Sequence, residues 1–169
     1  GLPVTVAGNT VNRLCASGLQ AIMDASRQIM CGDAELIIAC GVESMTRAPF
    51  VMSKSDEPWS RKPEVFDTTM GWRFINKNLS ALYDPCTRGE TAENVAKQWN
   101  ITREEQDEFA FSSQQKYFAA KVSDKWADEI AAVEMNNKGL ISSVVNDEHP
   151  RATSLEKLST LKPVFIKDG

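Results

Sequence analysis

The chain has 169 residues, of which 42% are hydrophobic and 25% are charged, a balance typical of a folded globular protein rather than a disordered one. Its formal net charge of −4 gives no basic excess of the kind that nucleic-acid-binding proteins use, so we expect no nucleic-acid partner. No apolar run approaches the ~20 residues that cross a bilayer, and the chain does not open on a charged-then-apolar leader. We therefore expect a cytoplasmic protein without a membrane partner.

The cysteines and the histidine bear on metal binding and redox chemistry. The four cysteines show none of the C-x-x-C spacing of zinc and redox sites, and the chain contains one histidine. We expect no metal site, and reduced thiols in a reducing compartment. The cysteines are Cys15, Cys31, Cys40 and Cys86.

The N-terminal part of the chain predicts a strand, a helix and a second strand. Residues 3–7 and 10–12 are β-prone, and residues 36–39 form a compact apolar run. Between them, residues 17–31 place apolar side chains on one helical face, and Gly32 follows where a left-handed helix cap belongs. This order predicts a βαβ unit of an α/β fold.

The remainder of the chain predicts a long connection, two helices and short strands. Residues 47–90 mix four prolines with aromatic side chains, as in connections that serve as lids. One helix should open at Thr91, and a longer one should follow the capping-box sequence that starts at Thr102. Residues 130–133 and 140–145 are strand-like, and a short helix and a strand-like tail end the chain.

Cys15 lies at the predicted junction of strand and helix and is followed by the small residues Ala16, Ser17 and Gly18. The N-terminus of a helix stabilises a thiolate through its partial positive charge and its N–H groups. The same N–H groups can bind the oxyanion that forms when a thiolate attacks a thioester carbonyl. A buried structural cysteine is compatible with the same local sequence, so the residues alone leave both roles open.

Motifs along the whole chain are similar to one known family. Residues 11–21 read Val-Asn-Arg-Leu-Cys-Ala-Ser-Gly-Leu-Gln-Ala, and residues 41–49 read Gly-Val-Glu-Ser-Met-Thr-Arg-Ala-Pro. Residues 91–96, Thr-Ala-Glu-Asn-Val-Ala, and residues 147–163 continue the pattern. These motifs resemble the thiolase family, and residues 66–74 resemble those members that cleave 3-oxoadipyl-CoA at the end of aromatic catabolism.

The resemblance implies a fold and a division into domains. Residues 1–46 would belong to the layered αβα core of the N-terminal thiolase domain, and residues 47–169 to its mainly helical loop domain, which covers the site like a lid. The C-terminal thiolase domain would be absent from these residues. We therefore expect Gly1 and Gly169 to be interior points of a longer polypeptide.

The resemblance also implies a reaction. The thiolate of Cys15 would attack the keto carbonyl of a 3-ketoacyl-CoA, acetyl-CoA would leave, and coenzyme A would collect the acyl group from sulfur. The backbone N–H of Cys15 would be one oxyanion donor. Coenzyme A would be a substrate and no permanent cofactor is implied, while the full-length protein would be a homodimer or homotetramer. A biosynthetic acetoacetyl-CoA thiolase and a non-catalytic acyl-CoA-binding relative stay open as alternatives.

The family's other catalytic groups are missing from these residues. They are a histidine in Gly-His-Pro, an asparagine in Asn-Glu-Ala-Phe and a cysteine in Cys-x-Gly, and none of these motifs occurs here. His149 precedes a proline without following a glycine, and Cys86 lacks the glycine of the second-cysteine motif. Without a base beside Cys15, we expect these 169 residues alone to show no thiolase turnover.

Two arginines are candidate substrate contacts. Arg88 stands where many thiolases have a methionine against the acyl chain, and a guanidinium there would bind a terminal carboxylate such as that of 3-oxoadipyl-CoA. Arg151, with Lys157 and Lys162, forms a basic neighbourhood for the CoA phosphates. Both sets are equally compatible with side chains that turn to solvent.

Overall fold

The structure is a computed structural model that describes residues 1–55, 57–167 and 169. These residues form two compact units, Gly1–Phe74 and Ile75–Gly169. The division expected at residues 46 and 47 concerns the domains of the thiolase fold rather than compactness, and it stays a prediction.

Helix α1, Ser17–Cys31, is the main element of the first unit and matches the helix predicted from periodicity. It ends at Gly32, whose φ of 80° places it in the left-handed region that glycine adopts without a Cβ penalty. The N–H of Gly32 donates to the carbonyl of Ile29 at 3.1 Å, and the N–H of Asp33 donates to that of Gln28 at 3.0 Å. The predicted left-handed cap is therefore confirmed.

The strands predicted on either side of α1 are wrong. Residues 3–7 contain a turn in which the N–H of Val6 donates to the carbonyl of Pro3, and residues 10–12 and 36–39 are irregular. A β-strand needs a neighbouring strand to satisfy its backbone donors and acceptors. Within the described part of the chain these segments pair with no strand. Their β-prone composition alone therefore does not produce a strand.

The connection after α1 forms a short hairpin. One 3₁₀ turn, Met45–Arg47, precedes β1, Phe50–Met52, which pairs antiparallel with β2, Val65–Asp67. The ring of Phe66 on β2 meets that of Phe74 edge to face, with centroids 5.2 Å apart. Two of the aromatic side chains of this stretch therefore pack against each other, whereas Trp59 and Phe50 are 96% and 73% exposed.

The described residues of the second unit form four helices. These are α2 Lys77–Ser80, α3 Arg88–Trp99, α4 Arg103–Val122 and α5 Leu155–Ser159. The capping box predicted at Thr102 is confirmed, with Glu105 as its partner. The start expected for α3 at Thr91 is wrong by one turn, because Thr87 and Glu90 form a second capping box that begins the helix earlier.

A hairpin of β3, Val133–Asn137, and β4, Leu140–Val144, also lies in the second unit. Its turn uses Lys138 and Gly139 at φ values of 53° and 89°, the positive values that two-residue hairpin turns require. The strand-like tail expected at residues 164–166 instead consists of bends.

Burial is slight throughout the described residues. Ala25 is the one buried hydrophobic residue among them, and large apolar side chains of α1 such as Ile22 and Met30 are 58% and 82% exposed. In the first unit, α1 and the β1–β2 hairpin are too few elements to enclose a hydrophobic core between them. None of the helices in the described ranges is long and apolar enough to cross a membrane.

Candidate active site

Cys15 lies in a tight turn immediately before α1. Ala16 is the N-cap residue and Ser17 is the first residue of the helix, so Cys15 stands one position ahead of the cap. Cys15 is exposed. The N–H of Ala16 donates to the carbonyl of Arg13 at 3.1 Å, and the N–H of Ser17 donates to that of Leu14 at 3.0 Å. The backbone thus folds back on both sides of the cysteine.

Side chains reinforce this turn, residues 12–17, which we call the nucleophile turn. The N–H of Leu14 donates to the side-chain oxygen of Asn12 at 3.0 Å. The hydroxyl of Ser17 accepts from the N–H of Arg13 at 2.8 Å and donates to the carbonyl of Leu14 at 2.6 Å. Leu14 has a φ of 51°, in a region that non-glycine residues rarely adopt.

A chain of side-chain hydrogen bonds runs from the nucleophile turn along α1. Arg13 donates to Gln20 at 2.8 Å, and Gln20 donates to Asp24 at 2.7 Å. Asp24 also pairs with Arg27 at 3.1 Å. The sequence interpretation missed this ladder, although the three- and four-residue spacing of the last three side chains along a helix was a signal for it.

The first turn of α1 is unobstructed beside Gly18. An added Cβ at Gly18 would meet no atom within 4 Å, so open space borders the first turn. The first N–H groups of a helix lack partners within the helix and carry its partial positive charge. An exposed thiol next to such a turn is suited to attack on a carbonyl whose oxygen the helix amides can stabilise.

Arg88 is the first residue of α3 and is exposed. It borders an open groove of roughly 500 Å³. The other lining residues are Thr91, Ala92, Val95, Ala96, Ile101 and Gln106. A guanidinium at one end of a mostly apolar groove can bind a chain that is apolar along its length and anionic at its tip.

The first turn of α3 is closely packed and well capped. The ring of Phe165 occupies the place where a Cβ on Gly89 would stand, so glycine permits this contact. Two hydrogen bonds from Thr87 lower the pKa of Glu90 below its ordinary value. The larger effect comes from the backbone N–H of Thr87 and the smaller one from its hydroxyl. An ionised Glu90 at the N-terminus of α3 also complements the helix dipole.

Arg151 begins the segment that leads into α5. Its backbone N–H donates to the side-chain oxygen of Gln114 on α4 at 2.9 Å, and its side chain is exposed. A second open groove, of roughly 580 Å³, follows it along the chain. The groove is lined by Ala152, Thr153, Ser154, Glu156, Lys157 and Thr160. Lys157 therefore lies in the groove, while Lys162 is not among its lining residues.

Arg103 on α4 holds the end of α5. Its guanidinium donates to the carbonyls of Leu158 and Leu161, each at 2.8 Å, and pairs with Asp107 at 3.0 Å. The side chains of Arg103 and Asp107 are 33% and 15% exposed. We call this arrangement the Arg103 clamp. The sequence interpretation missed it, because the carbonyls that it binds belong to residues far along the chain.

Tyr117 on α4 contacts the segment before α5 through Asp147, and it also contacts Trp126. Its ring stacks on Trp126 with centroids 5.3 Å apart. Desolvation raises the pKa of Tyr117, and the charge of Asp147 and a hydrogen bond to it add to the effect. Asp147 precedes Arg151 by four residues, so α4 contacts the approach to α5 at several points.

Two residues that could be mistaken for the family's histidine and second cysteine belong to the second unit. His149 is exposed in the second unit, and the Sγ of Cys86 lies 3.2 Å from the hydroxyl of Thr91 at the start of α3. No group of three potential metal ligands occurs within the described part of the chain. Cys15 belongs to the first unit, and Arg88 and Arg151 belong to the second. Arg88 lines the first groove, whereas Arg151 lines neither groove and precedes the first lining residue of the second, Ala152.

Comparison with known proteins identifies the family. The family model for the thiolase N-terminal domain matches residues 1–169. A beta-ketoadipyl-CoA thiolase of Acinetobacter baylyi is 53% identical over 171 aligned residues, which cover 100% of this chain and 43% of that protein. A 3-oxoadipyl-CoA/3-oxo-5,6-dehydrosuberyl-CoA thiolase of Escherichia coli K12 is 49% identical with the same coverage.

A solved structure gives the same result for the fold. The crystal structure of the Bacillus anthracis acetyl-CoA acetyltransferase superposes with a TM-score of 0.81 at 36% identity, covering 98% of this chain and 41% of that one. The expected α/β class is thereby confirmed, although the strands beside α1 are not formed here. The chain spans less than half the length of these relatives. With a family model matched along its whole length, the chain belongs to the thiolase family.

Proposed function

We propose that this chain contributes the nucleophile and the lid-like loop domain of a thiolase that cleaves 3-oxoadipyl-CoA with coenzyme A. The observation that carries the proposal is the position of Cys15, exposed in a tight turn at the N-terminus of α1. Relatives that are about half identical to this chain over the aligned residues are named for beta-ketoadipyl-CoA or 3-oxoadipyl-CoA. Their names supply the proposed substrate.

The reaction follows from the chemistry of a thiolate. Cys15 attacks the 3-keto carbon, and the resulting oxyanion is stabilised by N–H donors that include the amide of Cys15. The bond between C2 and C3 then breaks, which leaves an acyl thioester on Cys15 and a carbanion on acetyl-CoA that an acid protonates. The thiolate of coenzyme A next attacks the acyl thioester, and Cys15 departs as thiolate.

The acid and the base come from outside these residues. The family's histidine, asparagine and second-cysteine motifs are absent from the sequence, and the chain spans 43% of a relative. The many exposed apolar side chains of the described residues support a further polypeptide segment that covers them. We therefore propose that the 169 residues alone do not turn over substrate.

Arg88 is the proposed partner of the distal carboxylate of the substrate. The apolar groove beside it suits the methylene chain of a dicarboxylic acyl group, and its guanidinium can form two parallel hydrogen bonds with a carboxylate. Arg151 and Lys157 are the proposed contacts of the CoA phosphates. The full-length protein is proposed to be a cytoplasmic homodimer or homotetramer that binds no permanent cofactor.

The proposal is tested by steady-state thiolysis with the full-length protein. Wild-type enzyme should cleave 3-oxoadipyl-CoA, and Cys15→Ser should lower kcat on the order of 10³-fold, because a hydroxyl is a far weaker nucleophile than a thiolate. Cys31→Ser, on the last turn of α1, is the matched control and should retain activity. Full activity in Cys15→Ser would contradict the proposal and favour a binding protein without this chemistry.

The role of Arg88 has its own test. Arg88→Met should raise KM for 3-oxoadipyl-CoA about tenfold, the effect of losing one charge-assisted pair, and should leave KM for acetoacetyl-CoA unchanged. Lys97→Met near the end of the same helix is the control. Equal changes for both substrates would place Arg88 outside the acyl site.

Acetyl-CoA acetyltransferase activity is the second candidate function, because the Bacillus anthracis protein of that name is 36% identical to this chain. It predicts a kcat/KM for acetoacetyl-CoA at least as high as that for 3-oxoadipyl-CoA. The two substrates compared side by side therefore separate the two functions.

A further inference from the structure

Ser17 stands at the centre of the hydrogen bonds that shape the nucleophile turn. Its hydroxyl binds both residues that precede the cysteine, accepting from the N–H of Arg13 at 2.8 Å and donating to the carbonyl of Leu14 at 2.6 Å. Its backbone N–H donates to the same carbonyl at 3.0 Å. Ser17 thus connects the first residue of α1 to the chain that enters the turn.

The turn that Ser17 holds is conformationally unfavourable. Leu14 has a φ of 51°, where the Cβ of an L-residue crowds the backbone, so the surrounding contacts must maintain this conformation. On one side of Leu14 the side chain of Asn12 accepts its N–H, and on the other side Ser17 binds its carbonyl. If the contact to Ser17 were lost, Leu14 could relax toward the common right-handed region.

Relaxation at Leu14 would move the adjacent cysteine. The direction of the Cys15 side chain depends on the backbone angles of its neighbours, and the stabilisation of a thiolate by a helix terminus falls off steeply with distance from that terminus. A change of this kind would carry the thiol away from the N-terminus of α1.

We propose that Ser17 is a positioning residue, whose hydroxyl locks the nucleophile turn and holds Cys15 at the N-terminus of α1. This inference rests on the proposed function of Cys15 as the nucleophile. Ser17 does not touch the substrate in this role and acts through the cysteine. The spacing of the two residues places the cysteine outside the helix and the serine in its first turn.

The test compares Ser17→Ala and Ser17→Thr in the full-length protein. The measured quantities are the rate of alkylation of Cys15 by iodoacetamide, followed by peptide mass spectrometry, and kcat/KM for thiolysis. Ser17→Ala should lower both about five- to thirtyfold, as expected for the loss of two hydrogen bonds. Ser17→Thr keeps the hydroxyl and should restore both to within about twofold of wild type.

Two internal controls isolate the effect of position. Cys31 and Cys40 are exposed thiols of the same chain, and their alkylation rates should not change in either variant. Ser26→Ala removes a hydroxyl from the same helix, where the Ser26 oxygen lies 3.9 Å from the Met30 sulfur, and should behave as wild type. If Ser17→Ala yields no folded protein, Asn12→Ala removes the opposite anchor of Leu14 and should lower the same two rates.

The outcomes separate this inference from the function on which it rests. The proposed function is contradicted if the wild-type enzyme catalyses no thiolysis, or if its Cys15 is alkylated no faster than Cys31. If Cys15 of the wild-type enzyme is reactive and its alkylation rate is unchanged in Ser17→Ala, the positioning role of Ser17 is contradicted and the proposed function is not. A loss of kcat/KM that Ser17→Thr does not restore would also overturn it.

Discussion

The nucleophile turn and the Arg103 clamp keep functional candidates in place by different means. Hydrogen bonds of the nucleophile turn join residues two to four positions apart. The clamp joins Arg103 to carbonyls 55 and 58 positions away, and the Arg151 contact with Gln114 spans 37 positions. Local contacts form with little loss of chain entropy, whereas distant ones depend on the packing of α4 against α5. The two regions should therefore respond differently to substitution.

Breaking the clamp should give the larger effect. Arg103→Met removes two charge-assisted hydrogen bonds and leaves the mostly buried Asp107 without that partner, so local opening of α5 should become easier by about 2 kcal/mol. Hydrogen exchange in the full-length protein should then show about thirtyfold lower protection at residues 155–161.

A matched arginine provides the control for the clamp. Arg27→Met breaks a pair with Asp24 of similar length, 3.1 Å, but Arg27 is 60% exposed and the pair lies within a single helix. Exposed pairs of this kind contribute roughly 0.3–0.5 kcal/mol, so exchange should change little along α1. Equal losses in the two variants would show that the distant carbonyl contacts add nothing.

Altering the local cap of α1 should have a smaller and more confined effect. Gly32→Ala forces a Cβ into a backbone with a φ of 80° and should destabilise the end of α1 by about 1 kcal/mol. Protection of the amides near residues 28–33 should fall about fivefold, while α5 stays unchanged. Gly32→Asn should lose less, because asparagine tolerates the left-handed conformation. Changes that spread to the start of α1 would contradict a purely local cap.

Helix α1 and the start of α4 were the parts of the fold that could be predicted, whereas α2 was not predicted and α3 begins one turn earlier than expected. The bounds of α1 and the caps at Gly32 and Thr102 follow from residues within one turn of one another, so local sequence contains the needed information. The strands at residues 3–7 and 36–39 could not be decided in this way. Their composition is suitable, but a strand forms only where a partner strand supplies its hydrogen bonds.

The candidate site also has parts that the local sequence predicts and parts that it does not. The position of Cys15 ahead of a helix could be read from the small residues that follow it, and the motif at residues 11–21 indicated the family. The groove beside Arg88 and the attachment of the Arg151 segment to α4 emerged only from the structure. Both depend on residues brought together from separate parts of the second unit.

The sequence by itself determined α1 with its cap at Gly32, the capped start of α4 at Thr102, the thiolase family and the position of Cys15 just ahead of α1. Only the tertiary structure decided which β-prone segments pair, which residues line the groove beside Arg88, and how Arg103 fixes the end of α5. The physical reason is the range of the interactions. A helix satisfies its backbone within four residues, whereas strands, grooves and clamps require partners whose approach depends on the folding of the whole unit.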